Sequence, residues 1–410
     1  MRKNNTKKLL ITTAVVVLTV VVFAFLYFYY DIKRVDTQSV EMQAKASLDD
    51  DINSDVQSSF FVNKKTNTIP SKENFRVEEV SHLATPESVK GLYMTSWVAG
   101  TNNLRDKVIS IVDNTEANSI VVDLKDYSGH ISYPVENAEL NSLGSVDKRI
   151  PNLKYLTNLL HSKGIYVIGR IACFQDPYFV SLHPEFAMKQ KTNHDVIWTD
   201  KKGLSWLDPG EETVWNYLID ISKDAYEQGV DEIQFDYTRF PSDGDMKNIY
   251  YPSSEGKKRA EVINDFWKYL NENLKDTSIV TSVDLFGLST TSNDDLGIGQ
   301  LLENALVNFD YVSPMVYPSH FAPGWRGFSD PQSHPYDIVK ISMDSAVARA
   351  KTINVSVLKL RPWLQDFGLA GETYGEKEVR AQIQATYDSG LNSWLLWDAS
   401  NTFTPQALLP

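Results

Sequence analysis

Polar residues at the end of an apolar run are the first feature of this sequence that could do chemistry. In IQFDYTRFP, residues 233–241, the run meets Asp236 and Arg239 before it stops at Pro241. Burying a carboxylate at a strand end costs free energy unless the group is paired, and Arg239 is a nearby candidate partner. The motif therefore has two interpretations, a structural ion pair or a catalytic carboxylate.

Several other apolar runs end in the same way. Charged residues at these ends are Asp123, Lys125, Asp126, Arg170, Asp284, Asp366 and Asp398, and aromatic residues nearby are Trp97, Tyr317, Trp363 and Trp397. Aromatic faces stack on pyranose rings, and two carboxylates can divide acid and base work between them. Each aromatic residue taken singly is explained equally well by core packing. Their shared location indicates a sugar site.

The elements that must position these residues are strands alternating with helices. Eight runs have strand character, at 89–97, 119–126, 164–174, 231–240, 279–288, 309–317, 357–367 and 391–400. Apolar spacings of three and four between them, as at Val214, Leu218, Ile221 and Ala225, are typical of amphipathic helices. Eight such units predict an α/β fold, a (β/α)8 barrel whose active face is the carboxyl end of the strands. A doubly wound open sheet is the alternative, but no glycine-rich phosphate loop follows any strand.

Alternation along the fourth run assigns its side chains to the two faces of the barrel wall. If Ile233 and Phe235 pack against helices, then Gln234 and Asp236 point to the interior. We predict Asp236 as nucleophile or water-activating base, and Asp284, one strand further round, as general acid.

The remaining polar residues at the strand ends receive supporting roles. Asp398 and Asp123 are reserve carboxylates, while Arg170, Lys125 and Arg239 would tune the charges or bind hydroxyl groups. Together with Asp126 and the four aromatic residues they form the predicted substrate-binding set. The long loops 175–210 and 242–256, which carry Trp198, Tyr250 and Tyr251, would shape the subsites.

Several motifs together resemble a known family. They are KGLYMTSW early in the domain, WLDPGEETVWNYL at 206–218, GVDEIQFDYTRFP at 229–241 and FDYVSPMVYPS at 309–319. This combination resembles a bacterial domain of unknown function that is described as a "putative glycoside hydrolase", over roughly residues 88–408. The resemblance implies a (β/α)8 fold and glycosidase activity, and it matches Asp236 to the acidic end of the family's fourth-strand motif.

A more distant similarity is to the chitinase-type barrels. Their fourth strand reads D-G-x-D-x-D-x-E, whereas DEIQFDYT here keeps Asp231 and Asp236 but has Gln234 and Thr238 at the other acidic positions. The glutamate that donates the proton is missing. Substrate-assisted chemistry of that type is therefore not expected.

Composition excludes several function classes. The net charge of -13 argues against nucleic acid or other polyanions as partners. Cys173, the one cysteine, lies in an apolar run and is expected to be a buried, inert thiol. The histidines follow no metal-ligand spacing, and we expect neither metal nor cofactor.

The N-terminus predicts a membrane anchor. Residues 9–30 are free of charge and long enough to span a bilayer, and the basic residues of segment 1–8 place that end in the cytoplasm. A cleaved signal peptide is the alternative. Residues 31–85 read as a flexible linker, and 86–410 as an extracytoplasmic catalytic domain at the cell membrane. We expect a glycoside hydrolase that acts on an extracellular or cell-wall polysaccharide. The competing hypothesis is a non-catalytic glycan-binding protein on the same scaffold.

Overall fold

Eight parallel strands close into a barrel in the computed structural model, which describes residues 80–369 and 373–409. In chain order the strands are Lys90–Met94, Ser119–Lys125, Tyr166–Ala172, Glu232–Asp236, Val280–Phe286, Tyr311–Met315, Trp363–Gln365 and Trp394–Trp397. Each strand pairs with its neighbours in sequence, and the first pairs with the eighth in the register Lys90 to Trp394. The predicted (β/α)8 barrel is confirmed, and so are all eight strands. The predicted anchor at 9–30 lies outside the described residues.

The seventh strand is much shorter than the run that predicted it. Within 357–367 only Trp363–Gln365 is a strand, because Val357–Lys359 forms a 3-10 turn. Pro362 follows that turn and has no N–H to donate to a ladder. Apolar character alone therefore overestimated this element.

Helices cover the outside of the barrel wherever the apolar spacing of three and four predicted them. They are Ser96–Gly100, Asn102–Asp113, Ala138–Ser142, Leu153–His161, Pro177–Leu182, Glu212–Glu227, Arg259–Leu274, Leu302–Asn308, Pro335–Thr352 and Glu376–Asp388. Glu212–Glu227 buries the four predicted residues Val214, Leu218, Ile221 and Ala225 completely. Burial of this stripe, more than intrinsic propensity, stabilises the helix. None of the helices within 80–369 and 373–409 is both long and apolar enough to cross a membrane.

The side chains of the fourth strand alternate between the two faces as predicted. Gln234 Nε2 donates to Ser313 Oγ across the interior, at 3.2 Å. Phe235 instead packs on the ring of Phe309, which precedes the sixth strand. Asp236, two residues after Gln234, therefore stands on the inner face at the carboxyl end of the strand.

The two long loops carry a small sheet of their own. Lys189–Gln190 pairs antiparallel with both Asn193–Ile197 and Ile249–Tyr250. Trp198 is 2% exposed and its Nε1 donates to the carbonyl of Asp245, so this ring holds the two loops together. The prediction that the loops shape subsites remains a prediction, and Trp198 itself serves in their core.

Candidate active site

Arg170 lies at the centre of a cluster of carboxylates at the mouth of the barrel. It comes from the third strand. Its guanidinium donates hydrogen bonds to two acids and lies within ion-pairing distance of a third, all near the carboxyl ends of barrel strands. Its Nη1 donates to Asp123 Oδ1 at 2.6 Å, and its Nε and Nη2 both donate to Asp236 Oδ2. The same Nε lies 3.7 Å from Asp284 Oδ2. Burial opposes the charged guanidinium, but Asp123 and Asp236 outweigh it and raise the pKa of Arg170 well above its ordinary value.

Asp236 is the carboxylate that Arg170 holds most firmly. Its Oδ2 accepts the two guanidinium hydrogen bonds, and its Oδ1 accepts the N–H of Tyr237 at 2.5 Å. Charge-assisted donors of this kind stabilise the ionised form of a carboxylate. To direct its N–H this way, Tyr237 adopts a left-handed backbone with φ of 52°, which is unfavourable for a residue with a side chain. The position of the Asp236 carboxylate is thus fixed at some cost in backbone strain.

Asp284 has the opposite environment. Its Oδ1 accepts the indole N–H of Trp363 at 2.7 Å, while its Oδ2 is buried and accepts no hydrogen bond from the part of the chain described. Burial and then the nearby charge of Asp236 raise the pKa of Asp284 well above its ordinary value. A carboxyl group in this position favours the protonated state. The two acids therefore differ in the way that an acid and a base must differ.

Asp123 supports the cluster from the second strand. Its Oδ2 accepts the hydroxyl of Tyr93 at 2.5 Å, and its Oδ1 accepts Arg170. The ring of Tyr93 stacks on Trp397 at 3.8 Å between centroids. Burial raises the pKa of Asp123, with Arg170 opposing it. Tyr93 and Asp123 together fix the orientation of the guanidinium that holds Asp236.

A cleft of about 410 Å³ opens over the cluster. Four of its lining residues are the predicted Arg170, Arg239, Asp236 and Asp284, and three are the predicted aromatic residues Tyr317, Trp363 and Trp397. The rest of the wall is mostly apolar and comes from the carboxyl ends of the fifth and sixth strands and from the segments that follow the fourth, fifth and sixth strands: Tyr237, Phe286, Gly287, Leu288, Met315, His320 and Phe321. Such a cleft, apolar with a few convergent polar groups, is typical of small-molecule and glycan sites.

The predicted ion pair between Asp236 and Arg239 is wrong. Arg170 is the partner of Asp236, and the guanidinium of Arg239 instead lies over Trp206, Tyr237 and Phe286 at 4.7 to 5.3 Å. The left-handed turn at Tyr237 explains the error, because it redirects the chain between the two residues. Proximity in sequence favoured Arg239, whereas the pairing of the third and fourth strands places Arg170 opposite Gln234, two residues before Asp236, and its guanidinium reaches that carboxylate.

Five of the other predicted polar and aromatic residues lie away from the cleft wall. Lys125 is fully buried and pairs with Asp176 at 2.8 Å. Asp126 bonds Arg149, whose guanidinium lies 5.1 Å from the ring centre of Trp97. The remaining two are acids with structural hydrogen bonds: Asp398 accepts the N–H of Ser400 in a local turn, and Asp366 accepts the N–H and hydroxyl of Thr404, which is distant in sequence.

Sequence reasoning missed Tyr93 and the apolar loop residues. Tyr93 lies in the early motif KGLYMTSW. Its phenol within an otherwise apolar run is the feature that could have identified it. Phe286 is the last residue of its strand, and Leu288 and Phe321 follow their strands, where no periodicity identifies the face of a side chain. Gly287 fits because an added Cβ would lie 2.3 Å from the carbonyl oxygen of Met315.

Cys173 is buried as predicted, and burial raises the pKa of its thiol well above the ordinary value. Within 80–369 and 373–409, no group of three or more His, Cys, Asp or Glu side chains is arranged to hold a metal ion.

These features define a (β/α)8 protein with a carboxylate cluster at the strand ends, under an aromatic cleft. The chain belongs to the family described as "Putative glycosyl hydrolase domain", whose model matches residues 91–403. The family resemblance in the sequence is thereby confirmed. No curated protein matches the chain.

Solved structures share the barrel. A hypothetical protein from Ruminiclostridium thermocellum is 35% identical, covering 50% of this chain and 98% of that one, with a TM-score of 0.44. The glycoside hydrolase domain of PgaB (BpsB) from Bordetella bronchiseptica is 13% identical, covering 77% and 94%, with a TM-score of 0.56. Alpha-L-fucosidase isoenzyme 2 from Paenibacillus thiaminolyticus is 12% identical, covering 79% and 47%, at 0.51. At such identities the last two likenesses concern the fold alone.

Proposed function

We propose that this protein is a glycoside hydrolase in which Asp236 is the nucleophile or water-activating base and Asp284 is the general acid. The observation that carries the proposal is that two carboxylates face one cleft in opposite electrostatic environments. Glycosidases need one ionised and one protonated carboxyl group at the same bond. Membership of a family described as glycosyl hydrolase, and the barrel shared with two glycosidases, support the same reaction class.

The roles follow from the hydrogen bonds. Asp236 accepts three hydrogen bonds, two of them from a cation, and in the proposed reaction its carboxylate attacks the anomeric carbon or deprotonates water. Asp284 Oδ2 accepts no hydrogen bond from the residues described, and its carboxyl group has a raised pKa. A protonated Oδ2 in this position can donate to a glycosidic oxygen in the cleft.

The separation of the two acids would set the stereochemistry. Arg170 Nε lies 3.1 Å from Asp236 Oδ2 and 3.7 Å from Asp284 Oδ2, so the two oxygens are separated by less than the sum of these distances. About 5–5.5 Å between carboxyl groups favours retention, and about 6.5–9.5 Å favours inversion. This upper limit includes the whole retaining range and only the lower edge of the inverting range, so we propose a retaining double displacement with Asp236 as nucleophile. Following the anomer of the first product by NMR decides between the two outcomes.

A non-catalytic glycan-binding protein would need the aromatic residues but not two opposed acids. The presence of Asp284 beside Asp236 therefore favours an enzyme.

A hydrolysis screen tests the proposal. The purified protein and its Asp236→Asn variant are incubated with cell-wall and exopolysaccharide fractions, and the released sugars are analysed by mass spectrometry. We expect products with the native protein alone. Glycan binding by both proteins without any released product would identify a binding protein instead.

The location of the substrate rests on the anchor predicted at residues 9–30. We propose that the catalytic domain faces the outside of the cytoplasmic membrane, where it would meet extracellular or cell-wall polysaccharide. Protease added to protoplasts with an intact membrane should release a fragment of nearly the domain's size. Complete protection of that fragment would contradict the proposed orientation.

A further inference from the structure

Arg239 lies in the cleft wall without an acidic partner. Its Nη1 donates to the carbonyl of Phe240 at 3.1 Å and, at the longer distance of 3.4 Å, to Ser242 Oγ. Among the described residues, no carboxylate lies within ion-pairing distance of its guanidinium, and its Nε and Nη2 donate no hydrogen bond. By contrast, Arg149 and Arg170 each pair with at least two acids.

The surroundings of Arg239 are apolar on three sides. Its guanidinium carbon lies 4.7 Å from the ring centre of Phe286, 4.9 Å from that of Trp206 and 5.3 Å from that of Tyr237. Burial lowers the pKa of Arg239, and the surrounding tyrosine and acids do not fully offset this. A cation held between rings with two unused N–H groups has a strong preference for an oxyanion.

The free edge of the guanidinium has the geometry for such a partner. Nε–H and Nη2–H point the same way, and this pair of donors matches the two oxygens of a carboxylate or of a sulfate ester. The rings fix the plane of the guanidinium, so little side-chain entropy is lost when the ligand binds.

Space for the anion exists beside the main cleft. A pocket of about 120 Å³ shares Tyr237 and Arg239 with the cleft. The carboxylate of Asp200 in its wall already accepts four hydrogen bonds. The donors are the N–H groups of Lys202 and Leu204, the amide of Gln175 and the indole of Trp206. Lys202 and Arg239 balance the charges of Asp200 and Asp243 around this pocket.

We propose that Arg239 recognises an acidic sugar, with the carboxylate or sulfate group of that sugar seated in the side pocket next to the cleft. This inference rests on the proposed function, because it assigns the substrate class of the same cleft. The overall charge of -13 argues against polyanions as partners. The proposed ligand is therefore a short glycan segment in which a single acidic sugar reaches Arg239.

The test compares charged glycans with their neutral counterparts. The probes are hyaluronan oligosaccharides before and after carboxyl reduction, and κ-carrageenan oligosaccharides before and after desulfation. Binding to the full-length protein is measured by calorimetry at low and moderate salt. A hydrogen bond to a charged group is worth about 1.5–3 kcal/mol, so we expect one charged probe to bind about tenfold or more tightly than its neutral form.

Three variants separate the causes. Arg239→Gln should bring the ratio of affinities close to one, and Arg239→Lys should retain only part of the preference, because an ammonium lacks the fork. Arg326→Gln is the matched control: Arg326 is exposed in the loop after the sixth strand and should keep the full ratio. A ratio near one for both probe pairs in the native protein, or a ratio that survives Arg239→Gln, would overturn the inference.

The outcome is distinguishable from a failure of the proposed function. Hydrolysis of a neutral glycan without any preference for charge refutes the acidic-sugar inference and leaves the hydrolase intact. A preference that depends on Arg239, without any product that depends on Asp236, supports the inference and refutes the hydrolase.

Discussion

Two arginine and carboxylate clusters occupy opposite ends of the same barrel. At the carboxyl ends of the strands, Arg170 bonds Asp123 and Asp236 beneath a cleft. At the other end, Arg361 Nη2 donates to both oxygens of Glu232 at 2.9 Å, and both side chains are completely buried. The hydroxyl of Tyr166 bonds Glu232 there and is itself bonded to Thr85.

The difference lies in access and not in composition. Both clusters contain buried polar atoms without a partner among the described residues, including Nε and Nη1 of Arg361 and Oδ2 of Asp284. The Arg170 cluster lines a cleft into which a substrate can enter, whereas the side chains of Arg361 and Glu232 are completely buried. A buried ion pair is therefore weak evidence for function by itself, and the opening above it carries the argument.

The largest expected effect is on Asp236. Asp236→Asn keeps the shape but can act neither as nucleophile nor as base, so kcat should fall by about 10⁴-fold, near the upper end for a group of this kind. Hydrolysis rate and thermal midpoint are measured on the same variant. An active but unstable protein would show that the upper cluster, like the lower one, is structural.

Asp284→Asn should reduce kcat by roughly 10²- to 10⁴-fold, as expected for loss of a general acid. Because Asp284 must be protonated to act, activity of the native enzyme should fall as the pH rises through the raised pKa of this carboxyl group. The variant should lose this alkaline decline, and a sugar with an activated leaving group, which needs no proton, should restore much of its rate. A pH profile with an unchanged alkaline limb in the variant would contradict the role.

Glu232→Gln tests the lower cluster. Removing the carboxylate leaves Arg361 charged and unpaired in the barrel, which should lower the free energy of unfolding by about 3–5 kcal/mol. The kcat of the folded fraction should stay near that of the native protein. The double variant Glu232→Gln with Arg361→Met should recover much of the stability, and denaturant unfolding measures all three. Loss of kcat in folded Glu232→Gln would erase the distinction between the two clusters.

The smallest effect concerns Asp366, a buried acid outside both clusters. Burial, opposed by the hydrogen bonds of Thr404, raises its pKa to about 6. The folded protein takes up this proton before the unfolded chain does, so stability from this group increases as the pH falls from about 6 towards 4. Asp366→Asn should therefore raise the free energy of unfolding at pH 8 by about 2–3 kcal/mol and change it little at pH 4. An equal effect at both pH values would contradict the burial argument.

The barrel could be predicted because its signal repeats. Eight apolar runs and helical spacings such as Val214 to Ala225 agree with one another, and each unit supports the same fold. Asp236 and Asp284 could be selected because alternation fixes the face of a strand residue once the barrel is assumed.

The partners of these acids could not be predicted in the same way. Arg170 and Asp236 are separated by 66 residues and meet because the third and fourth strands pair. Arg239 was preferred on sequence distance, which the left-handed turn at Tyr237 defeats. Glu232 and Asp236 are the first and last residues of the same strand. Both are acids, yet they belong to clusters at opposite ends of the barrel.

The Arg170 cluster brings one positive and three negative formal charges together, a net of -2 when every acid is ionised. In the proposed reaction, protonation of Asp284 reduces this to -1, and transfer of that proton to the leaving oxygen returns it to -2 until the bond from Asp236 to the anomeric carbon neutralises one acid. The excess negative charge is then greatest between these two events, when the anomeric carbon is most cationic. Negative charge that is greatest at this moment stabilises an oxocarbenium-like transition state more than it stabilises a neutral sugar. It would also select a protonated iminosugar over the corresponding neutral ring.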